Sequence, residues 1–194
     1  SYVSNALLVK KKDDEKGRMC IDYRWLNNLT KYIGYPLPRI LDIIDRLYNA
    51  KVFSKLDLAS GYHQIRVRQC DIEKTAFQTH YGLFEWLVMP FGLCGAPATF
   101  QYMMNDLLRE CISKYVVVYL DDILIYSPNM ELHAKHIEAV LSIFQKHKLY
   151  VKLSKCEFAK QEVVYLGYTI GQQCLHTEEK KIMAVKEFPI PPTN

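Results

Sequence analysis

The sequence predicts an α+β fold. Two observations carry that expectation. Short apolar or alternating runs of strand length come in pairs across turns, and amphipathic helical runs stand between the pairs. The strongest pair is residues 115–120 and 123–126, two runs rich in β-branched and aromatic residues that flank Asp121 and Asp122. Each has the length and composition of a strand buried on both faces. Composition agrees: 194 residues, 49% of them hydrophobic and 24% charged, suffice for a real core in one large domain or two small subdomains, and they exclude a disordered chain.

The remaining elements follow in order. Residues 6–9 are a short apolar run, 10–17 a charged run ending in glycine, and 18–23 a returning strand, which predicts a β-hairpin with a basic tip. On that stretch alone the charges read as solvated surface. Tyr35-Pro36-Leu37-Pro38 stops whatever precedes it, and Ile40, Ile43, Ile44, Leu47 and Tyr48 then recur at helical spacing, so an amphipathic helix is expected over 38–49. Residues 52–59 read as a second buried strand with Asp57 near its end. Residues 60–63 turn the chain, and 64–68 alternate as a half-exposed strand does. Residues 75–79 and 84–89 flank Tyr81-Gly82 as another hairpin.

Residues 90–97 form a loop punctuated by proline and glycine, and Pro97 stands where a helix starts. Phe100, Met103, Met104, Leu107 and Leu108 supply its apolar face, the methionines as core filler. Ser127-Pro128 reads as the cap and first turn of a long helix marked by Ile137, Val140, Leu141 and Phe144 and ending near Lys148. On it His133 and His136 lack the partners of a metal site and read as surface histidines. Short strands follow at 149–151 and 163–170. Thr177 caps a last helix with Glu178 and Glu179 in its first turn, which Pro189, Pro191 and Pro192 end.

Several classes are excluded. No run of about 18 apolar residues exists, so no membrane span is expected, and the N-terminus lacks the pattern of a signal peptide. Cys20, Cys70, Cys94, Cys111, Cys156 and Cys174 include no C-x-x-C pair, which points to reduced thiols in an intracellular setting. A net charge of +4 permits a polyanionic partner without proving one.

The chemistry lies in the acids. Two adjacent carboxylates at a core edge repel each other unless positive charge stands between them, and hard oxygen ligands favour Mg²⁺ or Mn²⁺. The dipeptide alone reads equally well as an ordinary Asp-Asp turn. Asp57 adds a third acid. If its strand pairs beside the 115–126 hairpin, three carboxylates converge at one sheet edge, where two metals about 3.5–4 Å apart serve an in-line displacement at phosphorus.

Tyr119-Leu120-Asp121-Asp122 resembles the Y-x-D-D box of reverse transcriptases. Lys55-Leu56-Asp57-Leu58-Ala59-Ser60-Gly61-Tyr62-His63-Gln64-Ile65 is similar to their first acid motif. Met89-Pro90-Phe91-Gly92-Leu93 with Ala96-Pro97-Ala98-Thr99-Phe100-Gln101 is similar to the loop and helix between the two. Arg18-Met19-Cys20-Ile21-Asp22-Tyr23-Arg24 with Leu26-Asn27 matches the fingers segment, and Lys155-Cys156-Glu157-Phe158 with Tyr165-Leu166-Gly167-Tyr168 the end of the palm. Together these resemble the polymerase of gypsy-type LTR retrotransposon Pol polyproteins over nearly the whole chain.

The resemblance implies a right-hand polymerase with a ferredoxin-like antiparallel palm sheet packed on helices. Fingers would span about 1–50 and 64–90, and palm 51–63 and 91–194. The chain would be a fragment that starts within the fingers and lacks thumb, connection and RNase H. It also implies a nucleotidyltransferase that copies an RNA or DNA template from a primer, using deoxynucleoside triphosphates and two Mg²⁺ ions, with Mn²⁺ as a substitute. Asp57, Asp121 and Asp122 would be the catalytic acids and, with the carbonyl of Leu58, the metal ligands. Lys11 and Arg18 would close over the triphosphate, revising the reading of the basic tip. Ser60 and Gly61 amides would hold phosphate oxygens, Tyr62 would exclude a 2′-hydroxyl, Phe91 would lie against the nucleotide, and Lys155 would approach the triphosphate. Val164, Tyr165, Leu166, Gly167 and Tyr168 would form a primer grip. Other partners would be the remaining Pol domains, and the location intracellular, cytoplasmic within virus-like particles or nuclear.

Cys94-Gly95 replaces the Thr-Asn common in the family, and glycine there is expected to loosen the start of the next helix. Trp25 and Asn28 also depart from the usual fingers sequence. The alternative function is a catalytically inactive or domesticated copy that binds nucleic acid or a protein partner, which the intact acids disfavour. A metal nuclease accounts for neither Tyr62 nor the fingers cations.

Overall fold

The computed structural model describes residues 3–11, 14–31, 34–171 and 174–177, with the side chains of 10–18 and 174–177 outside the description. The strands are β1 (Ser4–Lys11), β2 (Asp14–Ile21), β3 (Val52–Asp57), β4 (Phe77–Thr79), β5 (Gly82–Phe84), β6 (Val116–Tyr119), β7 (Asp122–Ser127), β8 (Glu157–Lys160), β9 (Glu162–Tyr165), β10 (Tyr168–Gly171) and β11 (Cys174–Thr177). The α-helices are α1 (Arg24–Leu29), α2 (Ile40–Leu47), α3 (Ala96–Leu107) and α4 (Met130–Lys146). The chain forms two compact units, Ser1–Leu37 with Ser60–Asp106, and Pro38–Ala59 with Leu107–Asn194.

The first unit is built on a sheet ordered β2-β1-β4-β5. β1 and β2 form the expected antiparallel hairpin, and β1 also pairs with β4 in parallel through Ser4–Phe77 and Asn5–Gln78. Ile21, Tyr23 and Phe77 make its core, with Ala6, Leu26, Trp86 and Leu93 packed against them. Burial pushes the Tyr23 phenol up, so its hydroxyl stays a donor, to the Thr75 carbonyl at 2.7 Å. The alternating run at 64–68 is not a strand. Gly61–Gln64 is a 3₁₀ turn, and Arg66 makes only an isolated bridge with Val88. A pleat persists only where a neighbouring strand satisfies its backbone. Here the Thr75 hydroxyl receives the Trp86 N–H at 2.8 Å instead.

The second unit holds an antiparallel sheet ordered β6-β7-β3-β8. Along the chain these strands come as β3, β6, β7, β8, with α3 after the first and α4 after the third. The 2-3-1-4 strand arrangement is that of a ferredoxin-like sheet. The runs read as buried strands are so: Phe53, Leu56, Val116 and Ile123–Ile125 are essentially inaccessible. α2 packs Ile43 and Leu47 into the core formed by Phe53, Val117, Leu124, Tyr126, Val163, Tyr165 and Ile170. The 163–170 run is a hairpin, β9–β10, turned by Leu166 and Gly167 with φ of 52° and 81°. Two left-handed residues are what a two-residue I′ turn requires. Residues 149–151 supply a single bridge, Val151 to Leu58. The helix expected beyond Thr177 lies outside the described residues.

Two expectations around α4 are corrected. Its N-cap is Asn129, whose side chain accepts from Leu132 N–H at 2.9 Å, and not Ser127. Ser127 is buried, with its Oγ 2.8 Å from both His133 Nδ1 and His136 Nδ1. His133 is not a surface residue but fully buried, with Nε2 2.7 Å from Ser54 Oγ. The reason is helical phase: His133 stands one, two and three turns before Ile137, Val140 and Phe144, on the face that packs against the sheet. His136 stacks on Tyr115 at 3.9 Å.

Burial, and then the neighbouring His136, holds His133 below the usual imidazole range, and burial does the same to His136. The unfolded chain takes up protons near about pH 6.5 that the folded chain refuses. Their contribution to stability is therefore complete above that pH and is lost as pH falls below it. Urea midpoints should fall on acidification from about pH 7.5 to about pH 5.5, one unit on either side of the free imidazole value. The fall should be smaller in His133→Gln. An equal fall in both proteins would remove His133 from the account.

Candidate active site

Asp57 ends β3 and Asp122 opens β7, and the antiparallel register pairs them directly. Directly opposed residues share one face of a sheet, with Cβ atoms about 4.5–5.5 Å apart. Tyr119 pairs with Asp122 to close the β6–β7 hairpin, leaving Leu120 and Asp121 as its loop. Leu120 takes φ 51°, a left-handed conformation that side chains other than glycine, asparagine and aspartate rarely adopt. Such strain, of order 1–3 kcal/mol, survives only where the surroundings over-determine it. Asp121 is exposed at the tip and Asp122 half-buried.

Each paired acid faces an ammonium. Lys55 Nζ lies 3.3 Å from Asp122 Oδ1, and Lys155 Nζ 3.6 Å from Asp57 Oδ2. Lys55 opens the first acid motif but had no role in the sequence reading, although strand period puts it on the same face as Asp57, two residues on. Among the described residues, no three Asp, Glu, His or Cys side chains gather closely enough to hold a metal between them. Asp57 and Asp122 are brought together by register, and Asp121 adjoins them along the chain.

The backbone of the site is tied from behind. Tyr165, 1% exposed, donates its hydroxyl to the Asp122 carbonyl at 3.0 Å. Burial, then the charge of Asp122, pushes that phenol far up, so it remains a donor. Lys152 N–H donates to the Asp57 carbonyl at 2.8 Å and Ala59 N–H to the Tyr150 carbonyl at 2.9 Å. These bonds flank the Leu58–Val151 bridge without using the Leu58 carbonyl. Asp57 N–H points to Cys156 Sγ at 3.5 Å. Cys156 is a free thiol, as are Cys20, Cys70, Cys94 and Cys111.

In the β9–β10 hairpin Val164 is exposed, Tyr165 buried, Leu166 and Gly167 form the turn, and Tyr168 pairs back to Tyr165. In the first unit the ring of Tyr62 lies 5.4 Å from Phe91 and 5.3 Å from Phe100, which is fully buried. Ser60, at φ 52°, and not Gly61, takes the left-handed conformation before the 3₁₀ turn. Lys11 and Arg18 lie on the paired strands β1 and β2, and their side chains are outside the described residues.

The loop after Phe91 is pinned by Asn27, which the sequence reading placed in the fingers segment without a role. Asn27 Nδ2 donates to the Gly92 carbonyl and Asn27 Oδ1 accepts from Cys94 N–H, both at 2.8 Å. Gly92 has φ 103°, and a Cβ there would meet the Ile21 carbonyl oxygen at 2.7 Å, so only glycine fits. The glycine at 95 does not unravel the next helix: α3 starts at Ala96, and Thr99 N–H donates to the Gly95 carbonyl at 2.9 Å.

The family model described as reverse transcriptase (RNA-dependent DNA polymerase) matches residues 9–170. The chain belongs to the reverse transcriptase family. It is 42% identical to the retrovirus-related Pol polyprotein from transposon opus of Drosophila melanogaster, over 100% of this chain and 20% of that protein. Identity to the transposon 297 Pol polyprotein of the same species is 41%, over 98% of this chain and 18% of the relative. The transposon Tf2-3 polyprotein of Schizosaccharomyces pombe is 44% identical over 80% of the chain and 12% of its own length. The chain thus spans a fifth or less of these relatives.

Solved reverse transcriptase structures agree. A foamy viral protease-reverse transcriptase in complex with an RNA/DNA hybrid superimposes with a TM-score of 0.86 at 27% identity, over 97% of this chain and 25% of that one. A dRH form of that enzyme with double-stranded DNA gives 0.88 at 28%, over 96% and 33%. The α+β polymerase fold that the resemblance implies is the fold observed.

The Tyr165 hydroxyl makes a direct prediction for this reverse transcriptase chain. Tyr165→Phe removes one buried hydrogen bond and leaves the ring, so it should cost about 1 kcal/mol of unfolding free energy. The check is a shifted urea midpoint at unchanged m value.

Proposed function

We propose that the chain is the polymerising part of a reverse transcriptase, extending a primer by deoxynucleotides along an RNA or DNA template. The single observation that carries this reading is the register of Asp57 on Asp122, beside the hairpin tip that bears Asp121, in a chain of this family. Residues of about 1–50 and 64–90 would take the part of the fingers, and 51–63 and 91–194 that of the palm.

The donor set suits a hard divalent ion. It consists of carboxylate oxygens, two of them on opposed strand positions, and the ammoniums of Lys55 and Lys155 answer the same negative charge. Asp57, Asp121 and Asp122, with the Leu58 carbonyl, would hold Mg²⁺ or Mn²⁺, which when bound lowers the pKa of an attacking hydroxyl and takes up charge on phosphate oxygens. The chain's own groups do the rest. The β3–β7 register holds Asp57 and Asp122 at fixed spacing, and the Tyr165 tie holds the turn. Lys155, paired with Asp57 and 52% exposed along its side chain, would leave Asp57 for the triphosphate once other positive charge arrives. Lys11 and Arg18 meet the triphosphate from the fingers hairpin, with Ser60 and Gly61 amides on its oxygens. Tyr62, backed by Phe91 and Phe100, fills the space a ribose 2′-hydroxyl needs. The β9–β10 turn supports the primer end. The foamy viral relatives were solved on an RNA/DNA hybrid and on double-stranded DNA, which supports the same substrate class here.

Primer extension on an RNA template with Mg²⁺ tests the reading. Asp57→Asn and Asp121→Asn keep shape and remove charge, and each should lower the extension rate by about three orders of magnitude or more while folding persists. Extension within about tenfold of the parent chain would defeat the assignment. A parent chain that binds primer-template but never extends it would instead be the inactive copy.

The aromatic cluster gives a second test. Tyr62→Val should raise ribonucleotide over deoxynucleotide incorporation, because the smaller side chain opens the space beside Phe91 and Phe100. Unchanged sugar discrimination would assign the gate elsewhere.

A further inference from the structure

One stretch of the second unit carries charge that the proposed chemistry uses only at Lys155. The chain has 25 Lys and Arg against 21 Asp and Glu, an excess of four. Residues 139–156 contain four lysines, at 146, 148, 152 and 155, and no acid, so the remainder of the chain is formally neutral. All four lysines are exposed, as are His147, Tyr150 at 67% and Leu153 at 71%.

Local explanations cover only part of this. The C-terminal end of α4 favours cations at Lys146 and Lys148. Lys155 pairs with Asp57. Neither accounts for Lys152 or for the missing acids. Among the described residues, Lys146, Lys148 and Lys152 enter no ion pair.

The run is also joined to the acid edge. The Lys152–Asp57 and Tyr150–Ala59 backbone bonds lay residues 150–152 along the end of β3, and Lys155 closes the run at the Asp57 carboxylate. It therefore extends from the end of α4 to the edge where the polyanionic substrate reacts.

We propose that residues 146–155 are a track for the phosphate backbone of a single strand of nucleic acid, with Tyr150 offering its ring to an unpaired base. The proposal rests on the polymerase reading of the same edge. Lysines without protein counter-charges gain most from phosphate, because binding releases the counterions of the strand. Cations interleaved with an exposed aromatic ring are the pattern by which proteins hold single strands without reading sequence. A nucleotide triphosphate is met by Lys155, whereas lysines strung from 146 to 155 suit a chain of phosphates.

The test is a triple variant, Lys146→Gln with Lys148→Gln and Lys152→Gln, and separately Tyr150→Ala, all exposed side chains, while the contacts of 150 and 152 with the end of β3 run through backbone atoms that these substitutions keep. Binding of a labelled oligothymidine is titrated from about 50 to 200 mM salt, with circular dichroism as the folding control. In the triple variant the slope of log K against log salt should shrink by about two, since each lost phosphate contact removes about 0.7. Tyr150→Ala should weaken binding about tenfold with the slope kept. An unchanged slope in the folded triple variant would show a merely solvated surface and overturn the track. So would an effect confined to the nucleotide KM in primer extension, which would assign the lysines to the triphosphate. Because the binding arm needs no catalysis, a parent chain that holds the oligonucleotide through these lysines yet never extends a primer defeats the polymerase reading and leaves the track standing.

Discussion

The antiparallel pairing of β3 with β7 sets the geometry on which the acid site depends, because it places Asp57 and Asp122 opposite each other across one step of the ladder. The register is not free to drift. Phe53 and Leu56 on β3 and Ile123, Leu124 and Ile125 on β7 are fully buried. A slip of one residue would turn every side chain on the moving strand to the other face. Each large apolar side chain so placed stabilises the fold by about 1.5–3 kcal/mol. The acids are held in place by the hydrophobic residues behind them.

The turn that carries Asp121 is held less by the core than by polar ties. Leu120 occupies a left-handed backbone position where glycine is usual. The Tyr165 hydroxyl fixes the carbonyl of the following Asp122, and Lys55 lies across the carboxylate of that same residue. Tyr165 also ends β9, whose partner β10 begins immediately after the Leu166-Gly167 turn. The hairpin proposed to support the primer end and the hairpin bearing the acids are thus joined by one buried hydroxyl. His133 plays a comparable part at the other end of the strands. It lies between Ser54 on β3 and Ser127 on β7 and ties both to α4.

In the first unit, aromatic packing and one asparagine do the organising. Tyr62 and Phe91 lie 29 positions apart in sequence and meet ring to ring, with the buried ring of Phe100 also against Tyr62. Asn27 spans the loop between Phe91 and α3, satisfying one carbonyl and one N–H with a single amide side chain. This explains why Cys94-Gly95 is tolerated: the loop is held by its backbone, and the side chain at 94 takes no part in those two bonds.

Much of the chain was legible from local signals. The β6–β7 hairpin, the helices α2 to α4 and the opening hairpin follow from apolar period and from proline and glycine, which act within a few residues of themselves. The acids stood out because Asp121 and Asp122 interrupt an apolar run. The phase of α4 even contained the burial of His133, since 133, 137, 140 and 144 share a face, but a polar ring without visible partners reads as surface. Its partners, Ser54 and Ser127, come from two strands. Lys55 and Lys155 as counter-charges, Tyr165 as a tie, the strained Leu120 and the missing strand at 64–68 likewise emerged only with the tertiary structure. Propensity and periodicity are properties of one segment, and the sequence by itself determined which segments form and which acids they carry. Which atoms meet across 40 to 100 positions is settled by how buried faces pack, and that only the folded chain decided.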